Sequence, residues 1–132
     1  MTAYRIGEAA ELLGVSVDTV RRWVDAGRLG AVRGENGHRS IGGIELARFA
    51  KSLAGAPGQG AHRSSARNRM SGIVTAVTRD TIMAQVDIQA GPFRVVSLMS
   101  REAVDDLGIE VGSTAIAVIK STNVVIERGD ER

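Results

Sequence analysis

The sequence GVSVDTVRRWVDAGRL at residues 14–29 decides the fold of the first half of the chain. Its Ser16 is a favourable N-cap, because the hydroxyl can accept a hydrogen bond from the first turn of a helix that we predict over residues 17–26. A shorter helical pattern over residues 8–13 precedes it, and Gly14 ends that pattern. Two short helices joined by a tight turn predict a helix-turn-helix.

The sequence GENGHRSI at residues 34–41 completes the first domain. Asn36-Gly37 is typical of a type I′ turn between two short strands, because both residues tolerate positive φ. After this hairpin, apolar residues at helical spacing predict a third helix over residues 43–53. The side chains expected to form the core from the three helices are Ala9, Leu12, Leu13, Val17, Val20, Trp23, Val24, Ile44, Leu46, Ala47, Phe49, Ala50 and Leu53.

The pattern of the chain then changes from helical to mostly strand. Residues 54–64 combine Gly, Ala, Pro and Ser without apolar periodicity, which predicts a flexible linker between a domain over 1–53 and a domain over 65–129. In the second domain, IMAQVDIQ at residues 82–89 alternates as a half-buried strand does. The elements predicted there are strands over residues 69–77, 82–89, 93–99, 113–119 and 123–127, and one helix over residues 101–107 capped by Ser100. This set fits a five-stranded OB-like β-barrel with one short helix, so the predicted fold class is α+β.

Length and composition limit the possible architectures. At 132 residues, the chain is one ordinary domain or two very small ones. Two domains of about 60 residues would each bury only about 60% of their unfolded surface, so we expect oligomerisation. Aromatic residues make up 3% of the chain, so the cores must be built from aliphatic side chains.

The sequence also excludes several classes of site and protein. Without cysteine, there is no disulfide, thiolate metal site or cysteine nucleophile. His38 and His62 are too few for a histidine metal cage, and neither is placed to activate a serine, so we expect no enzyme. No apolar run approaches the roughly 20 residues that span a bilayer, and MTAYRIGEAAELLGV lacks the apolar core of a signal peptide. We therefore expect a soluble cytoplasmic protein that does not bind membranes.

Charge is distributed unevenly. Residues 1–62 carry eight basic and six acidic side chains, residues 63–70 carry three arginines and no acid, and residues 71–132 carry six basic and nine acidic side chains. The basic first half favours a polyanion partner, although solvated surface charge is an equal alternative. Lys120 is less easily explained as surface charge, because it lies in an otherwise apolar strand.

The helix-turn-helix places candidate DNA contacts on its second helix and on the hairpin. The N-terminal part of the second helix enters a major groove in this motif, where arginine can bind guanine or phosphate. The hairpin then acts as a wing that touches phosphate or the minor groove. The alternative for Arg21 is an ion pair with Asp18 or Asp25 on the helix surface. The candidate DNA contacts are Thr19, Arg21, Arg22, Arg33, His38 and Arg39.

Residues 14–29 and 34–41 together resemble the MerR-type winged helix-turn-helix. The excisionase-like branch of that family also shows the Arg-Arg-Trp, the Gly-Arg-Leu and the Gly-His-Arg wing. The resemblance covers residues 4–50 and implies double-stranded DNA as the partner, with Arg21, Arg22, His38 and Arg39 as contacts. MerR-type regulators usually dimerise through a long coiled coil, which this sequence lacks. A dimer would therefore have to form through the second domain.

The second half resembles the Mop module, or TOBE domain. Three segments carry the resemblance in order: SARNRMSGIVTAV at 65–77, SLMSREAVDDLGIEVG at 97–112 and AIAVIKSTNVVI at 115–126. Members of this family, the molbindins among them, bind molybdate or tungstate between the subunits of a dimer or hexamer. The resemblance implies that Ser-Ala-Arg-Asn comes from one subunit and the Lys-Ser pair from its neighbour. The implied oxyanion-binding residues are Ser65, Ala66, Arg67, Asn68, Lys120 and Ser121.

The chemistry of these residues suits a tetrahedral dianion, which must regain hydrogen bonds and charge compensation when it leaves water. Arg67 offers a planar fork of donors, Lys120 a compact charge, and Ser65 and Ser121 their hydroxyl groups. Backbone amides of the turn at residues 65–68 can add an anion-binding nest. The alternative is that Arg67 is a linker charge and Lys120 protects a strand edge.

We therefore expect a molybdate- or tungstate-responsive transcriptional regulator that uses no redox or organic cofactor and no metal other than the bound oxyanion. One alternative is an intracellular molybdate storage protein in which the helix-turn-helix is accessory. Another is a DNA-architectural protein in which the barrel serves only for oligomerisation.

Overall fold

The computed structural model of the protein describes residues 2–54 and 64–129. The chain divides between Ala61 and His62 into two compact units, which we call the N-terminal and the C-terminal unit. The predicted linker over residues 54–64 lies almost wholly outside the described residues, so its flexibility stays a prediction. Within the described ranges, no helix has both the length and the apolar character needed to cross a membrane.

The N-terminal unit combines three helices with a small antiparallel sheet. Its elements, in chain order, are β1 (Ala3–Arg5), α1 (Ile6–Leu13), α2 (Val17–Asp25), β2 (Val32–Arg33), β3 (Arg39–Gly42) and α3 (Gly43–Leu53). The strands pair in the order β1-β3-β2. The three helices lie where the sequence predicts them, except that α1 begins at Ile6, two residues before the predicted start. The sequence does not predict β1, because three residues show no visible alternation and only their pairing with β3 makes them a strand.

Local sequence explains where these helices begin and end. The Ser16 Oγ accepts a hydrogen bond from the N–H of Thr19 at 3.1 Å, which satisfies one of the first donors of α2. Gly14 takes a left-handed φ of 70° at the end of α1, a conformation that glycine adopts at little cost. Both predicted helix boundaries of the helix-turn-helix turn are therefore confirmed.

The wing, defined as β2, β3 and the loop between them, differs from the prediction in its turn. Gly37 has a φ of 78°, but no described residue other than glycine has positive φ, so Asn36 does not occupy a type I′ turn. Instead, the Gly37 N–H donates to the Gly34 carbonyl at 2.9 Å, and the Asn36 Oδ1 accepts from the His38 N–H at 3.2 Å. The hairpin is confirmed. The type I′ turn is wrong, because a longer loop lets Asn36 keep an ordinary backbone conformation.

The N-terminal unit buries a core of its own. The buried side chains are Ala9, Ala10, Val20, Leu29, Ile41 and Leu46. Trp23 packs against this core with its ring centroid 4.9 Å from that of Phe49, which confirms its predicted core role. Other side chains predicted to face inward are exposed, because each helix of so small a unit contacts the core along one narrow stripe. These exposed side chains are Leu12, Val17, Ile44, Ala47 and Leu53.

The C-terminal unit is an antiparallel sheet with one helix. Its elements, in chain order, are β4 (Asn68–Arg79), β5 (Met83–Ala90), β6 (Phe93–Ser100), α4 (Arg101–Leu107), β7 (Thr114–Ile119) and a 3-10 turn (Ser121–Asn123). The strands pair in the order β6-β5-β4-β7. The core side chains are Val74, Ala84, Val86, Ile88 and Val104. Ser100 caps α4 as predicted, since its Oγ accepts from the Ala103 N–H at 3.1 Å.

This sheet has four strands, so the predicted five-stranded barrel is not confirmed. The strand predicted over residues 123–127 is wrong. After β7 the chain makes the 3-10 turn, and residues 124–128 pair with no strand of the described chain. A strand needs a partner edge for its backbone hydrogen bonds, and this segment meets none within one chain. Val125 and Ile126 are consequently 85% and 84% exposed.

Gly72, in β4, lies against the neighbouring strand β5 without room for a side chain. A Cβ there would come closer than 3.0 Å to the carbonyl oxygen of Gln89 and to the Cγ2 of Ile88. The same strand carries a bulge between Val74 and Ala76, which increases its local twist. The first half of β4 pairs with β7 and its second half pairs with β5, so the sheet curls.

The face of β5 opposite the core holds a buried carboxylate. Asp87 is only 9% exposed, and its Oδ2 lies 2.8 Å from the Nε of Arg94 on β6. The Gln85 amide donates a further hydrogen bond to Asp87 at 3.2 Å. Hydrogen bonds from Arg94 first, and then from Gln85, lower the pKa of Asp87 because they favour its charged form. The ion pair therefore ties β5 to β6 while Asp87 is charged.

Candidate oxyanion site and DNA interface

The first candidate site lies where β4 begins and β7 ends. Asn68 pairs with Ile119, and the Asn68 Nδ2 donates to the Ile119 carbonyl at 3.2 Å. Because the two strands are antiparallel, the residue before Asn68 and the residue after Ile119 meet at the same end of the sheet. Arg67 and Lys120 are therefore neighbours at one corner of a single chain. We call residues 64–68 together with residues 120 and 121 the β4–β7 corner.

A short turn fixes the approach to β4. The Ser64 Oγ accepts a hydrogen bond from the Ala66 N–H at 3.1 Å, and the Arg67 Nη1 donates to the Ser64 carbonyl at 3.1 Å. A guanidinium has five N–H donors, so this bond engages only a part of its capacity. Ser65 and Arg67 are exposed, whereas Ala66 is half-buried. The turn thus presents the Ser65 and Arg67 side chains to solvent.

Lys120 and Ser121 form the other side of the corner, and both are exposed. The Lys120 carbonyl accepts from the Asn123 N–H at 2.9 Å, which closes the 3-10 turn directly after β7. Asn68 is half-buried, as Ala66 is, and its amide holds β4 to β7. The six predicted residues thus lie at one corner of a single chain, with two cationic and two hydroxyl side chains exposed. The resemblance implies that the two sets of residues come from different subunits, and that division stays a prediction.

The second candidate site is the exposed face of α2. Thr19 is half-buried, and its Oγ1 lies 2.8 Å from the Ser16 Oγ and accepts from the Arg22 Nη2 at 3.3 Å. Arg21 makes the ion pair that the sequence suggested as an alternative, with its Nη1 3.5 Å from the Asp18 Oδ1. Both side chains of that pair are more than half exposed, so the pair contributes at most about 1 kcal/mol and a phosphate can replace it.

The wing residues fall into two groups. Arg33 and His38 are exposed, as contacts with DNA require. Arg39 is half-buried, and its Nη1 lies 2.7 Å from the Asp25 Oδ1 at the end of α2. This ion pair joins the wing to α2. The pairing of Asp25 with Arg39 rather than with Arg21 is visible only in the structure.

Arg5 is a residue that the sequence analysis missed. It lies with Arg21, His38 and Arg39 around a cleft between the start of α1 and the wing. Its own backbone N–H donates to the Glu8 Oε1 at 3.0 Å, which fixes the start of α1. The signal in the sequence was a basic residue three positions before the predicted first helix, but only the pairing of β1 with β3 brings it beside the wing.

Comparison with known families gives two matches, one at each end of the chain. The family model described as MerR family regulatory protein matches residues 5–41. The family model of the TOBE domain matches residues 64–126.

The chain also resembles individual proteins. It is 43% identical over 63 residues to molybdenum-pterin-binding protein 3 of Clostridium pasteurianum, covering 47% of this chain and 93% of that protein. It is 36% identical over 76 residues to the molybdenum transport protein ModE of Herbaspirillum seropedicae, covering 57% of this chain and 28% of that protein. The solved structure of MopII from Clostridium pasteurianum aligns with a TM-score of 0.47 and 35% identity, over 49% of this chain and 98% of that one. The chain thus belongs to the TOBE-domain family, and a MerR-family helix-turn-helix domain precedes its TOBE domain.

Proposed function

We propose that the C-terminal unit binds molybdate or tungstate at the β4–β7 corner and that the N-terminal unit binds double-stranded DNA, so that the protein is a molybdate-responsive transcriptional regulator. The observation that carries the proposal is the pairing of Asn68 with Ile119, which brings Arg67 and Lys120 together. The names of the relatives, a molybdenum-pterin-binding protein and a molybdenum transport protein, favour molybdate over other oxyanions as the ligand.

The corner has the groups that a small dianion needs. The Arg67 guanidinium offers paired donors, and the Lys120 ammonium offers a compact charge, so together they neutralise two negative charges. The hydroxyl groups of Ser65 and Ser121 can donate further hydrogen bonds to the anion. Since these side chains are exposed in a single chain, a ligand there keeps contact with water until a second copy covers it.

A second copy of the chain is the expected cover. The strands β6 and β7 are the two edges of the sheet, and an apolar cleft of about 290 Å³ lies between them. Its lining is almost entirely apolar, with Val86, Val95, Ile109 and Ile116 among its members. Unpaired edges and exposed apolar side chains favour association with another chain. An oligomer formed here places the β4–β7 corner near a subunit interface.

Anion binding at an interface gives a route to regulation. An anion that binds one oligomeric arrangement more tightly shifts the population toward that arrangement. Two DNA-binding units held in that arrangement match, or fail to match, two half-sites of an operator. Coupling therefore requires that DNA affinity change when the anion binds.

The second candidate function is molybdate storage. It is favoured by the similarity to molybdenum-pterin-binding protein 3 of Clostridium pasteurianum. The shared region makes up 93% of that protein but only 47% of this chain. A protein of that size has no room for a DNA-binding unit. In the storage function, the N-terminal unit of this chain is accessory.

The first experiment measures the melting temperature of the full chain with molybdate, tungstate, sulfate or phosphate. An anion at about 100 times its dissociation constant stabilises the native state by about 2.7 kcal/mol. We expect molybdate and tungstate to raise the melting temperature of the wild type by several degrees and to have no effect on Lys120→Ala. The matched control is Lys51→Ala, which removes the other lysine of the chain from α3 and should respond as the wild type does. An unchanged wild type, or an equal rise in Lys120→Ala, would contradict the proposed site.

A second experiment separates regulation from storage. DNA affinity is measured with and without saturating molybdate, for the wild type and for a variant with Arg21→Ala and Arg22→Ala. A regulator changes its DNA affinity with molybdate and loses binding in the double variant. A storage protein binds molybdate equally well in both forms, and its DNA affinity does not depend on the anion.

A further inference from the structure

The α1–wing cleft is a basic surface that the proposed function does not yet explain. It has a volume of about 290 Å³. Its lining includes Arg5, Gly7, Arg21, Gly37, His38 and Arg39. Three guanidinium groups and an imidazole thus surround one concave surface, and its described lining contains no carboxylate. The convergence of like charges in a cleft raises the local concentration of anions.

Gly7 leaves the backbone of the first turn of α1 uncovered at the wall of this cleft. A Cβ on Gly7 would meet nothing within 4 Å, and its φ is not in the left-handed region, so nothing inside the unit requires glycine there. Glycine is a poorer helix former than alanine, so Gly7 lowers the stability of α1 slightly compared with alanine at the same position. A bare backbone at the wall of a cleft allows a ligand to come close to the peptide groups.

The first turn of α1 also supplies donors. The first N–H groups of any helix have no partner within the helix. The backbone of Arg5 is fixed by the bond from its N–H to Glu8, while its exposed side chain makes no ion pair within the described chain. The start of α1, the exposed guanidinium of Arg5 and the side chain of Arg21 on α2 therefore lie around one cleft.

The guanidinium groups around the cleft have different roles. Arg39 is held by Asp25 at 2.7 Å, so it sets the distance between the wing and α2. Arg21 is held only by an exposed, longer pair with Asp18, which exchanges readily for another anion. Arg39 is thus a positioning residue, whereas Arg5 and Arg21 are available to bind.

We propose that the α1–wing cleft seats one phosphate group of the DNA backbone, with Arg5 and Arg21 as its cationic contacts and Gly7 as the surface that lets it approach α1. In a helix-turn-helix, the first helix crosses the backbone beside the groove that the second helix enters. A cleft between the start of α1 and the wing is therefore on the path of that backbone. The proposal rests on DNA binding by the N-terminal unit.

The first test compares Arg5→Gln with Arg48→Gln in the full chain. Arg48 is an exposed arginine on α3 and does not line the cleft, so both variants lose one charge from the same unit. Binding to a random-sequence DNA duplex is measured by fluorescence anisotropy over a series of salt concentrations. We expect Arg5→Gln to weaken binding on the order of tenfold and to reduce the salt slope by about 1. Arg48→Gln should leave the slope as in the wild type.

The second test uses Gly7→Ala, because the two consequences of that change have opposite signs. Alanine should leave the melting temperature unchanged or raise it, since the added methyl group meets open space. The same methyl group should weaken DNA binding on the order of tenfold, because it holds the phosphate away from the backbone donors. Gly42→Ala is the control, since its Cβ also meets open space but Gly42 lies outside the cleft.

The outcomes separate the two proposals. If the wild type does not bind duplex DNA, DNA binding and the phosphate seat are both wrong. If the wild type binds DNA and Arg5→Gln loses no more affinity than Arg48→Gln, the proposed phosphate site in the α1–wing cleft is wrong, while DNA binding by the N-terminal unit is not contradicted. Loss of affinity in Gly7→Ala together with a lower melting temperature would also count against the seat, because it would indicate a structural role for Gly7.

Discussion

The two units differ in how much apolar surface a single chain leaves exposed. In the N-terminal unit, Val20 and Ile41 are fully buried between helices and a sheet of the same chain. In the C-terminal unit, Val74 and Val104 are buried in the same way, but apolar side chains such as Leu98 and Val125 remain exposed. Among the described residues, fewer large apolar side chains are exposed in the N-terminal unit, Leu12 and Ile44 among them, than in the C-terminal unit, so we expect the C-terminal unit to be the one that associates. We therefore expect contacts between chains to form through the C-terminal unit rather than through the N-terminal unit.

This difference also separates the two candidate sites. The candidate DNA interface of the N-terminal unit is positioned by contacts within the unit, such as the ion pair between Arg39 and Asp25. The β4–β7 corner has its residues in place but lies open to solvent. We therefore expect DNA contacts to be preformed and the anion site to depend on oligomerisation.

Gly72→Ala should have the largest effect, and it tests whether the two units are independent. The added Cβ would overlap the backbone of β5, and such overpacking costs about 3 kcal/mol of stability in the C-terminal unit. Trp23, the single tryptophan, reports on the N-terminal unit alone. In urea, the midpoint of the tryptophan fluorescence transition should stay unchanged. The unfolding of the C-terminal unit, followed by far-UV circular dichroism, should move to a lower urea concentration. If the fluorescence transition moves equally, the units unfold as one and the comparison fails.

Val125→Ser should have the next largest effect, on association rather than on folding. Burial of a valine side chain at an interface is worth about 2 kcal/mol, so its loss should raise the dissociation constant of the oligomer about 30-fold. Sedimentation velocity over a concentration series measures that constant. Leu12→Ser is the matched control, since Leu12 is an exposed apolar residue of the N-terminal unit. Equal dissociation constants for the two variants would place residue 125 outside the interface.

The smallest effects should come from a matched pair of helix caps. Ser16 and Ser100 each accept a hydrogen bond at 3.1 Å from the third residue of their helix. Replacement by alanine should cost about 1 kcal/mol in each case. Ser16→Ala should shift the Trp23 fluorescence transition only, and Ser100→Ala the circular dichroism of the C-terminal unit only. A shift of the fluorescence transition by Ser100→Ala would show that the units are coupled.

Signals of short range were predicted well from the sequence. The caps at Ser16 and Ser100 and the helix ends at Gly14 and Gly108 depend on a few neighbouring residues, so their structural consequences can be read locally. The exposure of Ile44 was predicted wrongly, because helical spacing gives the direction of a face but not the width of the core that it meets.

Long-range pairing accounts for the remaining differences. Residues 123–127 have the composition of a strand, but strand formation requires a partner edge that this chain does not provide. The cleft around Arg5 was missed for a related reason, since its other walls come from α2 and the wing. The residues of the β4–β7 corner were predicted through family resemblance, and their role in binding stays a proposal.

Apart from β1 and the segment over residues 123–127, the sequence by itself determined the order of helices and strands, the caps that bound them and the chemical groups available for an anion and for DNA. It could do so because each of these depends on residue type and on neighbours within a few positions. The tertiary structure decided which distant groups meet: Asn68 with Ile119, and Arg39 with Asp25. These contacts follow from strand register and helix packing. Both depend on the free energy of the whole fold, so no single segment of the sequence predicts them.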